Sequence, residues 1–561
     1  MEPTLPTAAA TPAKAVTARP VPAGREPRLQ SGIAPVSTPL STDQLIHLLK
    51  RTLFGCSHAD VNHFAGKPLA AVVDELLTVP GTSSTVPVKT YTPNAATTPA
   101  TDPDWQVAAG QPWVTVHTND GSVNGGRRNS FKAWWFGQLV QQQRHLQEKM
   151  VLFWHNHFAT ETNDIGNGIA CYKHNVLLRQ MALGNFKQLV KAVTLDPAML
   201  RYLNGERNTR TAPDENYARE LQELFTLGKG PGSQYTEEDV KQAARVLTGF
   251  RVNYTDVTSF FDATRHDTGN KTFSAFYGNR TIAGRTGADG AKELDDLLDM
   301  IFAQQEVALH MVRKLYRWFV YYDIDAQAEA DVIVPLANIF RAAQYDIKPV
   351  LRALLMSEHF FDPQNMGCMI KSPLDLVVGA VREFQVQFPP ATDFAANYTM
   401  WNWLHTNAAN QQQNLGDPPD VAGWKAYYQE PQYYEIWINS DTLPKRNQFT
   451  DTMIINGYTR NGFTIRFDPI AFARRLPSPE NPNLLITDSL QYLYRIGLSA
   501  ATRQQIKRDI LLSGQSLDHY WTDAWNLYIA NPTDSMALAA VRNRLRSLYQ
   551  YLMNLAEYQL A

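Results

Sequence analysis

The sequence is short of cysteine, of net charge and of long apolar runs. Cys56, Cys171 and Cys368 are the three cysteines among 561 residues. An odd, widely spaced set excludes a multi-bridge disulfide framework and a CxxC zinc site. Lys and Arg number 52 against 54 Asp and Glu, a formal net charge of −2. That balance gives no electrostatic pull toward nucleic acid or an anionic membrane. No stretch reaches the roughly 18 consecutive apolar residues of a membrane span. GxSxG, HExxH and a strand-borne GxGxxG are also missing, so no standard hydrolase, zincin or dinucleotide fingerprint applies.

What is present is a large capacity for core. Hydrophobic residues make up 44%, with 12 Trp, 24 Tyr and 25 Phe. Residues 1–40 stand apart, with eight prolines among many Ala and Thr. The opening MEPTLPTAAATPAKAVTARPVPAG has no apolar signal core, so 1–40 reads as a flexible tail.

From Ser41 to residue 561 the pattern is that of a helical body. Thr42 is expected to cap DQLIHLLKRTLFG, with a stop at Gly55. Residues 79–128 carry Thr, Pro, Gly and Asn and read as a long surface loop, with Trp105 and Trp113 suited to packing it down. FKAWWFGQLVQQQRHLQEKMVLFWHNHF reads as one long helix or two broken near Gly137. Thr236 and Asp239 have capping-box spacing. Alternation and turn residues over 250–288 suggest a β-rich insertion. Residues 406–450 are loop-rich. The expected fold is mainly α: a large array of short helices with a small β-hairpin insertion.

Three strings carry candidate chemistry. In WHNHF, His155 and His157 are a possible metal pair. On a continuous helix they sit about 200° apart, so sharing a metal needs a helix end or extended backbone there. The bland alternative is a packed core histidine. In DENYARELQE, Asn216, Glu220 and Glu223 form one helical stripe beside an apolar one, which suits a metal ligand or an acid–base pair. An Arg219–Glu223 ion pair is the competing explanation. In RHDTG, His266 suits a ligand or general base, with Asp267 or a more distant acid orienting it. A polar turn in which Asp267 caps backbone N–H groups explains the same letters.

Several strings together resemble one bacterial family, catalogued as domain of unknown function 1800. They include HLLKRTLFG, LQEKMVLFWHNHFAT, ENYARELQELFTLGKG, YTEEDVKQAARVLTGF, RHDTGNKTF, VRKLYRWFV, PPDVAGW and LAEYQL. The resemblance runs from about His47 to the C-terminus. It implies a secreted or periplasmic bacterial protein and no settled activity.

Two functions are weighed on these grounds. One is a metal-dependent enzyme, hydrolase or oxidoreductase. Its ligands are His155, His157 and Glu223 around one divalent ion of unknown identity. Glu220, His266 and Asp267 do the chemistry, and Asn216 and Arg219 support them. The other is a non-catalytic envelope or extracellular scaffold that binds a protein or polymer. Nucleic acid and a transmembrane segment are expected in neither.

Overall fold

The computed structural model describes residues 31–83, 85–91, 102–424 and 437–561. Residues 1–30 of the tail expected over 1–40, the Thr-rich stretch 92–101 and the middle of 406–450 lie outside them, while part of 31–40 is hydrogen-bonded to the body, with the Val36 N–H donating to Met356 and the Ala34 carbonyl accepting from Glu358.

The fold is mainly α, with three two-stranded antiparallel sheets among the described residues. Helix starts follow local chemistry. Ser41, one residue before the expected cap, closes a capping box with Gln44, and Thr236 closes one with Asp239. Asp196 caps the Pro197–Tyr202 helix, whose first residue is the proline. Two hairpins fall within 250–288: Phe250–Asn253 pairs with Thr258–Phe261, and Lys271–Thr272 with Thr281–Ile282. A third, Tyr458–Arg460 with Phe463–Ile465, has no counterpart in the sequence expectations.

The long aromatic segment forms two helices, Gly121–Val140 and Gln147–His157, with the break at 141–146 and not at Gly137. Gly137 serves helix packing instead. A Cβ there would lie 2.8 Å from the ring of Trp401, on the Phe394–Asn410 helix that crosses it. The first helix also starts ten residues before Phe131, where that segment begins. Asp120 caps it by accepting from the backbone N–H of Ser122 and Val123. Gly126, like Gly137, is used for close approach, since a Cβ on it would be 2.7 Å from the ring of Tyr91. Tertiary packing thus overrides a weak helix propensity. Trp113 is fully buried and donates to Ser130, whereas Trp105 is 46% exposed.

One contiguous hydrophobic cluster runs from Leu45 to Tyr558. The Gln147–His157 helix lies inside it and packs on Gly168–Gln180. Almost every one of its side chains is buried, including its charged ones. That placement puts the WHNHF string at the centre of the molecule. No described helix is long and apolar enough to cross a membrane.

Candidate functional site

The two histidines of WHNHF face different neighbours, as helical spacing requires. His155 meets Trp135 edge-on at 5.0 Å, Trp424 at 5.8 Å and His174 at 6.4 Å between ring centroids. Burial pushes its pKa down to about 3, and its Nε2 has no partner among the described residues. His174 is held at Nδ1 by Asp196 at 2.9 Å, and its own Nε2 is likewise unpartnered among them.

His157 points the other way, into Phe153, Phe158, Phe186 and Phe225. Its Nε2 is 3.1 Å from the Phe225 carbonyl oxygen, and its Nδ1 is 2.8 Å from Nζ of Lys314. A carbonyl only accepts, so Nε2 carries the proton and Nδ1 accepts from Lys314. Burial, followed by the charge of Lys314, holds the imidazole neutral, well below its usual pKa.

The carbonyl partners come from an irregular helix end. Asn216–Glu220 continues into a widened π-type turn over Leu221–Thr226, where the Leu227 N–H donates to Gln222 five residues back. Carbonyls near that end are taken by side chains: Leu224 accepts from His310 at 3.2 Å and Lys314 at 3.3 Å, and Phe225 from His157. Such turns recur at functional sites. A helix C-terminus also favours cationic donors.

Lys314 has no carboxylate partner among the described residues. Burial, with the charge of Arg317, pushes its pKa down to about 7. It lines a cavity of about 30 Å³ shared with Asn156, His157, Arg317, Ala422 and Trp424. That volume holds about one water. The PPDVAGW segment forms one wall. Asn156 Oδ1 accepts from the Trp424 N–H at 2.7 Å. Gly423 has φ +80°, and a Cβ there would sit 2.2 Å from the Asn156 carbonyl oxygen. Asp417 anchors the start of the loop to Lys132 and to the backbone and hydroxyl of Thr162.

The carboxylates of ENYARELQE lie on the same irregular helix but outside this cavity's lining. Burial, then the neighbouring charge of Glu223, pushes Glu220 up to about 7, and its Oε2 has no partner among the described residues. Glu223 pairs with Lys229. The expected Arg219–Glu223 pair is replaced by Arg219 with Glu237 at 2.6 Å and Glu215 at 3.1 Å. Asn216 is exposed.

His266 belongs to a separate buried cluster. Its Nδ1 is 2.9 Å from the Thr248 carbonyl oxygen and its Nε2 is 3.1 Å from Glu293, which also pairs with Lys271 at 2.6 Å. Asp267 does not orient it. That carboxylate takes Arg245 through both oxygens and accepts from the Gly269 N–H. Among the described residues, no hydrogen bond, ion pair or ring contact joins His266 to His155, His157, Glu220 or Glu223. No group of three or more His, Cys, Asp or Glu among them is arranged to hold a metal ion.

Lys314 is not among the catalytic or metal residues expected from the sequence, where Arg313 and Lys314 suggest at most an anion-binding pair. Its string, VRKLYRWFV, reads as an amphipathic helix whose cations reach solvent. Only the fold turns that ammonium inward.

No curated protein and no solved structure shows significant similarity to the chain. The family model described as "Protein of unknown function (DUF1800)" matches residues 47–560, almost the whole chain, and the chain therefore belongs to that family.

Proposed function

We propose that the chain is an enzyme of hydrolase type, acting in the periplasm or outside the cell, with Lys314 as its general base. One observation carries this reading. Nζ of Lys314 donates to His157 Nδ1 and to the Leu224 carbonyl while lining a water-sized cavity. A neutral amine has two N–H bonds and one lone pair. With both N–H bonds engaged, the lone pair is the group left for a water in the cavity. A pKa of about 7 leaves much of the amine neutral at working pH, as a base requires. His157 is a positioning residue, its tautomer fixed by Phe225. The extracytoplasmic location is supported by the family resemblance alone.

The test is a turnover screen on ester, amide, glycoside and sulfate-ester substrates, run on wild type, Lys314→Met and His157→Asn. Activity in wild type that is lost in Lys314→Met, with folding intact, is the expected result. Turnover that survives in folded Lys314→Met overturns the assignment.

A metal-dependent reading has its own supporting observation, on the other face of the helix. His157 is unsuited to be a ligand, because both its nitrogens are engaged. His155 and His174 each bury an unpartnered Nε2, and Asp196 holds His174 in the manner of a carboxylate behind a ligating imidazole. Metal analysis of unchelated protein, with His155→Ala and His174→Ala beside it, tests that reading. Metal content equal in all three would remove it.

A further inference from the structure

A second cavity of about 40 Å³ lies on the same face of the Gln147–His157 helix, beyond Trp318, which lines both cavities. Its charged side chains are Lys50, Arg51, Lys149, Lys371, Asp375 and Glu383, and Ala561, the last residue of the sequence, lines it as well, so four cations face two side-chain carboxylates and one terminal carboxylate. These come from the Thr42–Thr52 helix, the Gln147–His157 helix and the segment through the Pro373–Glu383 helix.

The charges do not cancel. Lys50 takes Glu383 at 2.6 Å, and Lys149 takes Asp375. Each of these carboxylates has a lysine partner, Glu383 keeps an unpartnered Oε2 among the described residues, and Arg51 and Lys371 are the two cations left without an ion pair. Among the described residues Arg51 reaches only the Asn365 carbonyl oxygen at 3.1 Å and Cys368 Sγ at 3.5 Å, and its Nε has no partner. Lys371 sets its ammonium 3.8 Å from the centre of the Tyr558 ring and pairs with no carboxylate among the described residues. Both side chains are more than nine-tenths buried. Just behind them lies Arg446, fully buried, which donates to Gln559 and to the Lys371 carbonyl and likewise has no carboxylate.

Buried, unpaired cations cost several kcal/mol each unless something neutralises them. Lys371 can shed its proton; Arg51 cannot. A cavity between them leaves a place for a counter-charge. We propose that this cavity is a binding site for a small oxyanion, bound between the Arg51 guanidinium and the Lys371 ammonium. The chemistry is that of a phosphate, a sulfate or the carboxylate end of an organic acid. Arg51 would offer the directed N–H donors that oxyanions prefer, and Lys371 a point charge. Trp318, Trp437 and Leu152 give the site apolar walls. Lys314 takes no part in it.

The test uses the full chain and three probes: inorganic phosphate, sulfate and acetate, each against sodium chloride at matched ionic strength. The expected result is a saturable rise in Tm with at least one probe, and its identity separates inorganic from carboxylate ligands. The rise should fade as pH passes from 6.5 to 8.5, because the Lys371 ammonium is lost near 7. Lys371→Met should abolish it and Lys371→Arg should restore it. If Lys371→Met does not fold, reductive methylation of wild type gives the second readout. The bound probe should protect Lys371 at least several-fold more than Lys292, an exposed lysine. No saturable shift with any probe overturns the proposal. So does a shift unchanged in Lys371→Met, or methylation of Lys371 unaffected by the probe.

Discussion

Lys314 and His157, 157 positions apart in the chain, meet at 2.8 Å, with the imidazole locked by the Phe225 carbonyl on its far side. The pair joins two helices through one proton donor and one lone pair, so its strength depends on the charge of Lys314.

That dependence sets a pH response. In the unfolded chain a lysine keeps its proton to about pH 10.4. In the fold Lys314 gives it up near 7. Below pH 7 both states are protonated, and the fold bears the full cost of a buried ammonium. Between 7 and about 10.4 the unfolded chain binds the extra proton, so stability rises with pH through that window. Each tenfold change in proton affinity is worth about 1.4 kcal/mol. Lys371, also lowered to about 7 by burial, adds a rise of the same sign. Lys314→Met should therefore flatten part of the pH 7–10 slope in urea denaturation and leave the Lys371 part. An unchanged slope would show that Lys314 is not charged and buried as described.

Gly423 tests the wall of the first cavity. Its φ of +80° and the 2.2 Å approach to the Asn156 carbonyl leave no room for a side chain. Gly423→Ala should cost about 1–3 kcal/mol through backbone strain and lift the loop from Asn156. Hydrogen exchange at the Trp424 amide reads this directly, since that N–H is bonded to Asn156. Exchange as slow as in wild type would mean that the loop does not depend on this contact.

The helical body was legible because caps and apolar periodicity are local signals. Thr236 with Asp239 and Asp196 with Pro197 each mark a start without help from the fold. The start of the Gly121–Val140 helix was not, because Gly126 and Gly137 matter for what they approach: Tyr91 and Trp401 are distant in sequence. The site divides in the same way. Helical spacing alone separates His155 from His157. That His157 would find Lys314, or that Arg51 and Lys371 would share a cavity, depends on contacts between distant segments. The signal available for the second cavity was that HLLKRTLFG and LQEKMVLFWHNHFAT, two strings carrying the family resemblance, supply Lys50, Arg51 and Lys149 to it.

His266 illustrates how a motif can be structural. It bridges Thr248 and Glu293 with about 1% of its surface exposed. His266→Ala leaves part of a buried carboxylate without its neighbour and opens a void. The expected loss is about 2–4 kcal/mol in chemical denaturation. Metal content, measured on the same samples, should not change. A variant as stable as wild type that has lost bound metal would return His266 to the role of a ligand.

The Glu148–Arg179 pair separates the value of a contact from the cost of breaking it. Both side chains are buried, the two carboxylate oxygens meet the two ends of the guanidinium, and Arg179 lies against the Trp134 ring. Removing one partner strands the other charge inside the Gln147–His157 and Gly168–Gln180 helix pair. Glu148→Ala and Arg179→Ala should each cost about 3–5 kcal/mol. Glu148→Leu combined with Arg179→Met removes both charges and keeps most of the volume, so it should cost less than either single alanine change. Urea midpoints for the wild type and these three variants decide the matter. A double variant less stable than both singles would show that the pair itself, and not the avoidance of a stranded charge, holds these helices together.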